Sequence, residues 1–280
     1  ASYPKSGNTW FRAFLQNLKE DSDTPVEINA LSGSMIASTR VWIDSVLCFA
    51  SGDLTDDETE RLRPLVYDWH VLEQPDDISY HKIHDAWLRA PGSDIPIGGG
   101  TATLGALYIL RNPLDLVASV ANHRGLDLDG TIELMCNPQA MLARTQDGQP
   151  PQTRQRLGTW SDHVASWVDA DELDCLPLRY EDMLADPEAS FSLAVTFLRL
   201  PNDSARIARA IDQSRFSKLA AQEEISGFRE APIKAERFFR HGRSGGWRSE
   251  LNDQQVAGII DAHGAMMQRF GYLDADGAPV

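Results

Sequence analysis

Lys82 and His84 are separated by one residue in the segment Tyr80-His81-Lys82-Ile83-His84-Asp85. If residues 78–84 form a strand, as their alternation predicts, both side chains point to one face about 6.5 Å apart and can approach one reacting group. A histidine titrates near neutrality and can take a proton, while a lysine stabilises negative charge that builds beside it. The same residues also fit an exposed strand end carrying scattered polar side chains.

A second group with chemical potential is Tyr3-Pro4-Lys5-Ser6-Gly7-Asn8-Thr9-Trp10. Trp10, Phe11, Phe14, Leu15 and Leu18 follow at helical spacing, which predicts a strand, a small polar turn and then a helix. The start of that helix offers unpaired N–H groups and the positive end of the dipole, a setting for a phosphate. The pattern is not the ATP-binding GxxxxGKS/T. Ser2 stands at its first glycine position and Asn8 at its lysine position, while the lysine has moved to Lys5.

The third group begins at Arg111, just after the apolar residues 107–110. Asn112 has the character of an N-cap, Pro113 that of a first helical residue and Asp115 that of a capping acid. A guanidinium pairs bidentately with phosphate, and Ser119 lies two turns along the same helix as an adaptable donor. Arg111 as a plain surface charge is the alternative.

The elements that must position these groups follow from periodicity. Residues 173–179 form a further strand, and Asp186-Pro187 opens a helix with Phe191, Ala194, Val195 and Leu198 on one face. Alternating strands and helices predict an α/β fold with a central, mainly parallel sheet flanked by helices. The length of 280 residues fits a single domain spanning 1–280. Segments 24–75, 124–155 and 220–240 fit loops and helical insertions, Gly98-Gly99-Gly100 a connector, and acidic residues 53–60 behind a Thr55 cap a solvated helix face. Trp42, Trp69 and Trp87 fit either an apolar pocket or the core.

With 41 acidic against 26 basic residues the formal charge is −15, which opposes an extended polyanion and excludes nucleic acid as a partner. A small anion held by a few inward cations is compatible with that charge. Cys48, Cys136 and Cys175 form no CxxC pair, which points to a reducing compartment and a cytoplasmic protein. No HExxH or Cys/His spacing is present, so no metal is expected. No apolar run is long enough for a membrane span. The turn so near Ala1 predicts that part of a first strand lies upstream.

Pro4-Lys5-Ser6-Gly7-Asn8-Thr9-Trp10 closely resembles the 5′-phosphosulfate loop, PKSGTTW or PKSGNTW, of sulfotransferases that use 3′-phosphoadenosine 5′-phosphosulfate (PAPS). Arg111-Asn112-Pro113-Leu114-Asp115-Leu116-Val117-Ala118-Ser119 resembles their RNPxDxxxS signature for the 3′-phosphate. Arg240-His241-Gly242-Arg243-Ser244-Gly245-Gly246-Trp247-Arg248 is similar to their RKGxxGxWK, with His241 and Arg248 replacing lysines. The segment around Lys82 and His84 is similar to their KTH, with Ile83 replacing threonine. These matches run in family order from Tyr3 to Arg248 and resemble most a cytosolic-type, bacterial-like member.

The resemblance implies a P-loop-like three-layer fold and a set of roles. Lys5 would reach the phosphosulfate bridge, while Ser6, Gly7, Asn8 and Thr9 would hold the 5′-phosphate. Trp10 would stack on adenine, with Tyr180 of an RYED segment, and Ser214 and Phe216 of a TSF-like one, nearby. Arg111, Ser119, Arg240, His241 and Gly242 would hold the 3′-phosphate, although a neutral imidazole at 241 attracts it less than an ammonium. His84 would act as base, with Lys5 and Lys82 as charge stabilisers, and no Mg²⁺ is called for because a sulfuryl group carries less charge than a phosphoryl group.

The acceptor implied is a small molecule or natural product bearing a hydroxyl or amine, whose class the motifs do not name. Gly158-Thr159-Trp160-Ser161-Asp162-His163-Val164-Ala165-Ser166-Trp167 is similar to a GxWxxHVxxW stretch of cytosolic members, and His163 there fits packing. The family's KxxxTVxxxE dimerisation motif has no copy, which leaves the oligomeric state open. A nucleotide-dependent kinase on a P-loop fold and a non-catalytic nucleotide-binding module are the competing readings.

Overall fold

The computed structural model describes residues 1–31, 35–73, 78–100, 102–143, 149–231 and 237–280. The first half runs α1 (Asn8–Glu20), β1 (Met35–Ile36), α2 (Arg40–Leu47), α3 (Asp56–Glu73), β2 (His81–Lys82), β3 (Ala106–Leu110) and α4 (Pro113–Arg124). Then come α5 (Leu128–Met135), β4 (Met141–Leu142), β5 (Gln155–Arg156), α6 (Trp160–Val168), β6 (Cys175–Arg179), α7 (Tyr180–Ala185) and α8 (Pro187–Phe197). The chain closes with α9 (Ser204–Gln213), α10 (Phe216–Ser226), α11 (Trp247–Glu250) and α12 (Asp253–Arg269).

The architecture is α/β, with small sheets among many helices. Among the described residues there are three two-stranded sheets, β1 with β2 and β3 with β6, both parallel, and β4 with β5, antiparallel. Ala1 and Ser2 join the two parallel pairs: the Ser2 N–H donates to the Ile83 carbonyl and the Ile109 N–H donates to that of Ala1. The strand expected over 78–84 is reduced to His81 and Lys82.

β3 shows why helices lie on both of its faces. Tyr108 and Leu110 pack with Leu114 and Val117 of α4 and with Trp160 and Trp167 of α6. Leu107 and Ile109, one residue out of phase, pack with Phe11, Phe14 and Leu18 of α1 and with Phe191 of α8. All five β3 residues are buried, so the strand reads as a continuous apolar run rather than an alternating one, as parallel strands covered on both sides do. Trp42 and Trp87 belong to the core and Trp69 is 54% exposed.

Caps place the helix starts where the sequence predicts them. The Asn112 side chain accepts from the Leu114 N–H with Pro113 at the first turn, and Asp186 does the same for Ala189 before α8. The Thr55 hydroxyl accepts from the Glu58 N–H at the head of α3. One expectation is corrected there: the acidic face is not wholly solvated. Glu60 is buried and, with Asp57, pairs with Arg154 and Arg156, tying α3 to β5. Parts of the loop-and-insertion segments, residues 32–34, 74–75, 144–148 and 232–236, lie outside the described residues. The remainder holds α2, α3, α5 and most of α10, but also the short strands β1 and β4 and the start of β5, which the expectation of loops and helices did not include.

Candidate active site

The turn before α1 is built by two residues in left-handed backbone. Gly7 has φ 109°, and a Cβ there would fall 2.8 Å from the Tyr180 ring, so only glycine fits. Lys5 has φ 70°, a conformation that a non-glycine residue adopts at a cost and that recurs at functional sites. The turn leaves the first N–H groups of α1 facing a cavity of about 830 Å³.

That cavity gathers Lys5, Gly7, Asn8, Thr9, Trp10, Lys82, His84, Arg111, Ser119, Tyr180, Phe216, Arg240, His241 and Gly242. The Lys5 ammonium lies 3.4 Å from the Phe238 carbonyl oxygen and 3.4 Å from the centroid of its ring. Burial pushes Lys5 down to about 7, and the neighbouring charges of Lys82 and Arg111 add to the effect. Three cations thus converge inside a strongly acidic protein. Such an arrangement is unfavourable when empty of counter-charge and favours an anion.

His84 is held at one nitrogen. Its Nδ1 lies 2.8 Å from the Ser2 carbonyl oxygen, which can only accept, so Nδ1 carries the proton. Nε2 is left with the lone pair. Burial first, and the Lys82 ammonium second, hold the imidazole well below its ordinary value of 6.5, so it is neutral at physiological pH. Lys82 Nζ is 3.1 Å from Glu230, which also pairs with Arg12 at 2.6 Å.

Arg111 donates to the carbonyls of Lys5 and Arg243, both at 3.2 Å, and its guanidinium lies 4.5 Å from the Tyr180 ring centroid. Its buried Nε has no partner among the described residues, an orphaned donor beside the cavity. Arg240 donates to the Ala118 carbonyl at 2.6 Å and to Glu250 at 3.0 and 3.1 Å. Gly242 has φ 60°, and a Cβ there would lie 2.3 Å from the Phe216 ring. Trp10 meets Tyr180 edge-on at 5.7 Å.

A family model, the sulfotransferase domain, matches residues 1–271. The chain belongs to the sulfotransferase domain family. It is an enzyme that transfers a sulfuryl group. This sulfotransferase is similar to cytosolic sulfotransferase 8 of Arabidopsis thaliana, with 22% identity over 271 residues, covering 91% of this chain and 71% of the relative. Its fold is similar to that of a mouse sulfotransferase complexed with PAP, at TM-score 0.56 and 20% identity, covering 95% of this chain and 82% of the other. It is likewise similar to retinol dehydratase in a complex with retinol and PAP, at TM-score 0.58 and 17% identity, covering 96% and 80%.

Two of the residues expected at the site of the sulfotransferase do not line its cavity. Ser6 turns its hydroxyl to the Tyr3 carbonyl at 2.9 Å, and Ser214 turns its own to the Ala210 carbonyl at 2.8 Å. His241 is exposed, 3.8 Å from Glu250.

Sequence reasoning missed several supports of the site. Asp115 is not a helix cap: its carboxylate accepts from the Gly245 N–H at 2.7 Å and the Trp247 N–H at 3.0 Å, pinning the C-terminal glycine turn against α4. Glu181 accepts from the Asn112 N–H and the Tyr272 hydroxyl, each at 3.0 Å, and so braces the Arg111 turn. His163, packed as expected, also bonds the His84 carbonyl through Nε2 at 3.0 Å and the Tyr108 hydroxyl through Nδ1 at 2.8 Å. The signal for Asp115 was its position inside the Arg111 motif. Nothing local could name a partner 130 residues away.

Proposed function

We propose that the sulfotransferase takes its sulfuryl group from PAPS and delivers it to a hydroxyl or amine of a small-molecule or natural-product acceptor, with His84 as general base. The single observation that carries this reading is the convergence of Lys5, Lys82 and His84 with Arg111 and the head of α1 on one cavity. The residues present fit a doubly phosphorylated nucleotide: an orphaned Arg111 Nε at one end and a glycine-only turn with free N–H groups at the other. That proteins of like fold are complexed with PAP agrees with that fit.

Bound PAPS supplies an activated sulfuryl group on a good leaving group. The protein's part is to hold, orient and neutralise. Gly7, Asn8 and Thr9 present N–H groups to the 5′-phosphate, and Trp10, Tyr180 and Phe216 form the aromatic walls for adenine. Arg111, Ser119, Arg240, His241 and Gly242 face the 3′-phosphate. Ser6 and Ser214 act through their backbone, since their hydroxyls are spent on carbonyls. His84 Nε2 takes the acceptor proton while Lys5 and Lys82 stabilise charge on the bridging and sulfuryl oxygens. We further propose one domain, 1–280, of three-layer, P-loop-like type, in which Ala1 and Ser2 align both parallel pairs into a single sheet, and a cytoplasmic location. Among the described residues no helix is long and apolar enough to cross a membrane.

Calorimetry with adenosine 3′,5′-bisphosphate (PAP) against ATP with Mg²⁺, followed by transfer from labelled PAPS to an acceptor panel, tests the proposal. Uptake of PAP without ATP binding, together with labelled product, is expected. Binding of ATP–Mg²⁺ in its place points to the kinase reading, and PAP uptake with no transfer to any acceptor points to the binding module.

Two further outcomes follow from the geometry. Because Lys5 is held near 7 by burial and by Lys82 and Arg111, below that pH it is charged before PAP arrives. Above it the free lysine is neutral and the bound anion restores its charge. PAP binding is therefore expected to take up a proton above pH 7, and affinity to fall by up to about tenfold per pH unit there. Calorimetry in buffers of different ionisation enthalpy reads this directly; a flat affinity from pH 6 to 9 contradicts it. Substituting Asp115 with alanine removes two charge-assisted bonds to the Gly245–Trp247 turn and is expected to weaken PAP binding by about 1.5–3 kcal/mol, with Asp115→Glu recovering part of the loss.

A further inference from the structure

Arg124 ends α4 and lines the same cavity as His84. Among the described residues its guanidinium makes no hydrogen bond or ion pair. In a chain with 41 acidic side chains and 26 basic ones, that leaves a cation open to an incoming anion. Several cations in and beside the cavity have carboxylate partners, since Lys82 and Arg12 share Glu230, Arg240 has Glu250 and Arg215 has Asp212. Among the described residues Lys5, Arg111, Arg229 and Arg243 have none, but Lys5 and Arg111 belong to the nucleotide end and Arg229 and Arg243 are exposed.

Its place along the helix separates it from the nucleotide end. An α-helix rises about 1.5 Å per residue, which sets Arg124 on the order of 16 Å along the axis from Pro113 and the Arg111 turn. His123, next to Arg124 in the chain, is pushed down to about 3 by burial first and then by the charges of Lys5, Lys82 and Arg124, so it is neutral and adds no competing charge.

The wall contributed by β5 is polar. Gln155 is only 2% exposed yet lines the cavity, and its Nε2 donates to Gln152 Oε1 at 2.9 Å, an oxygen that also accepts from the Ser38 hydroxyl at 3.0 Å. Gln155 Oε1 and Gln152 Nε2 are left without partners among the described residues. An acceptor oxygen and a donor nitrogen on facing amides recognise a hydroxyl, which is both donor and acceptor.

We infer that the acceptor carries an anionic oxyacid group that pairs with Arg124, and a hydroxyl bound by the amides of Gln152 and Gln155, which presupposes the catalytic roles proposed for Lys5, Lys82 and His84. An anion brought near a phosphosulfate meets strong repulsion unless a cation faces it. A guanidinium in that cavity with no partner among the described residues supplies that cation, and its planar fork suits carboxylate and phosphate alike.

Two matched series test this with labelled PAPS. One compares glucose with glucuronate and glucose 6-phosphate; the other compares 4-hydroxyphenylacetamide with 4-hydroxyphenylacetate and tyramine. In at least one series the anionic member is expected to have a kcat/KM roughly 10- to 100-fold above the uncharged one. Arg124→Gln is expected to erase most of that preference through KM, and Arg124→Glu to turn it towards tyramine. An uncharged member that equals or exceeds its anionic partners in both series overturns the inference, as does a ranking unchanged by Arg124→Glu. The sugar series separates carboxylate from phosphate. If PAP binds and no anionic probe is sulfated, this inference alone fails; if PAP does not bind, the PAPS reading itself fails.

Discussion

His84→Ala is expected to lower kcat for sulfuryl transfer by roughly 10²- to 10⁴-fold, the usual worth of a positioned general base, while PAP binding persists. The reason is the tautomer. The Ser2 carbonyl holds the Nδ1 proton at 2.8 Å, so the ring presents Nε2 as an acceptor without having to rotate or exchange protons. Burial and the Lys82 charge hold the imidazole well below 6.5, so the acid limb of kcat/KM that reports His84 is expected below that pH. The sign follows from the chemistry: the base works when neutral, and lowering its pKa extends the active range towards acid. Steady-state rates with labelled PAPS and saturating acceptor, beside calorimetry with PAP, separate loss of chemistry from loss of binding. Undiminished sulfation in the alanine variant would remove His84 from the mechanism.

Asp85→Ala is expected to cost about 3–5 kcal/mol of stability, because it strands a buried guanidinium. Arg63 and Asp85 are both fully buried, with bonds of 3.0 and 2.7 Å between them. Asp85 raises Arg63 further above its ordinary value, which would otherwise fall through burial. The Arg156 N–H also donates to Asp85, and the Asp85 carbonyl accepts from the Trp167 indole at 3.0 Å. Since Asp85 directly follows His84, kcat is expected to drop alongside stability. Replacing both members by apolar residues, Arg63→Met with Asp85→Leu, is expected to be milder than the single change, as neither charge is then left unpaired. Denaturant unfolding of the single and double variants decides this; a single variant within about 0.5 kcal/mol of the parent contradicts it.

Much of the site was legible in the chain because its chemistry is local. Lys5, Gly7 and the head of α1 sit within a few residues, and a turn that needs left-handed backbone and free N–H groups leaves its mark as small polar residues before an apolar helix. Arg111 with the Asn112 cap was legible for the same reason. The strand over 78–84 was overextended: alternation describes which side chains are buried, whereas a ladder needs a partner strand, and β2 has one only at His81 and Lys82. Ser6 and Ser214 show the opposite limit. A hydroxyl's direction depends on the nearest unsatisfied carbonyl, which a motif does not specify.

What the sequence alone determined were the groups able to carry charge and protons, the capped helix starts and the apolar run that β3 buries on both faces. Each depends on neighbours within one or two turns. Only the tertiary structure decided that Asp115 clamps Gly245 and Trp247, that Glu230 bridges Arg12 and Lys82, and that Arg124 stands in the cavity of His84 without a partner among the described residues. Those are pairings between residues far apart in the chain. A carboxylate or guanidinium can reach many partners, and which one it meets is settled by how helices pack over the two faces of the strands.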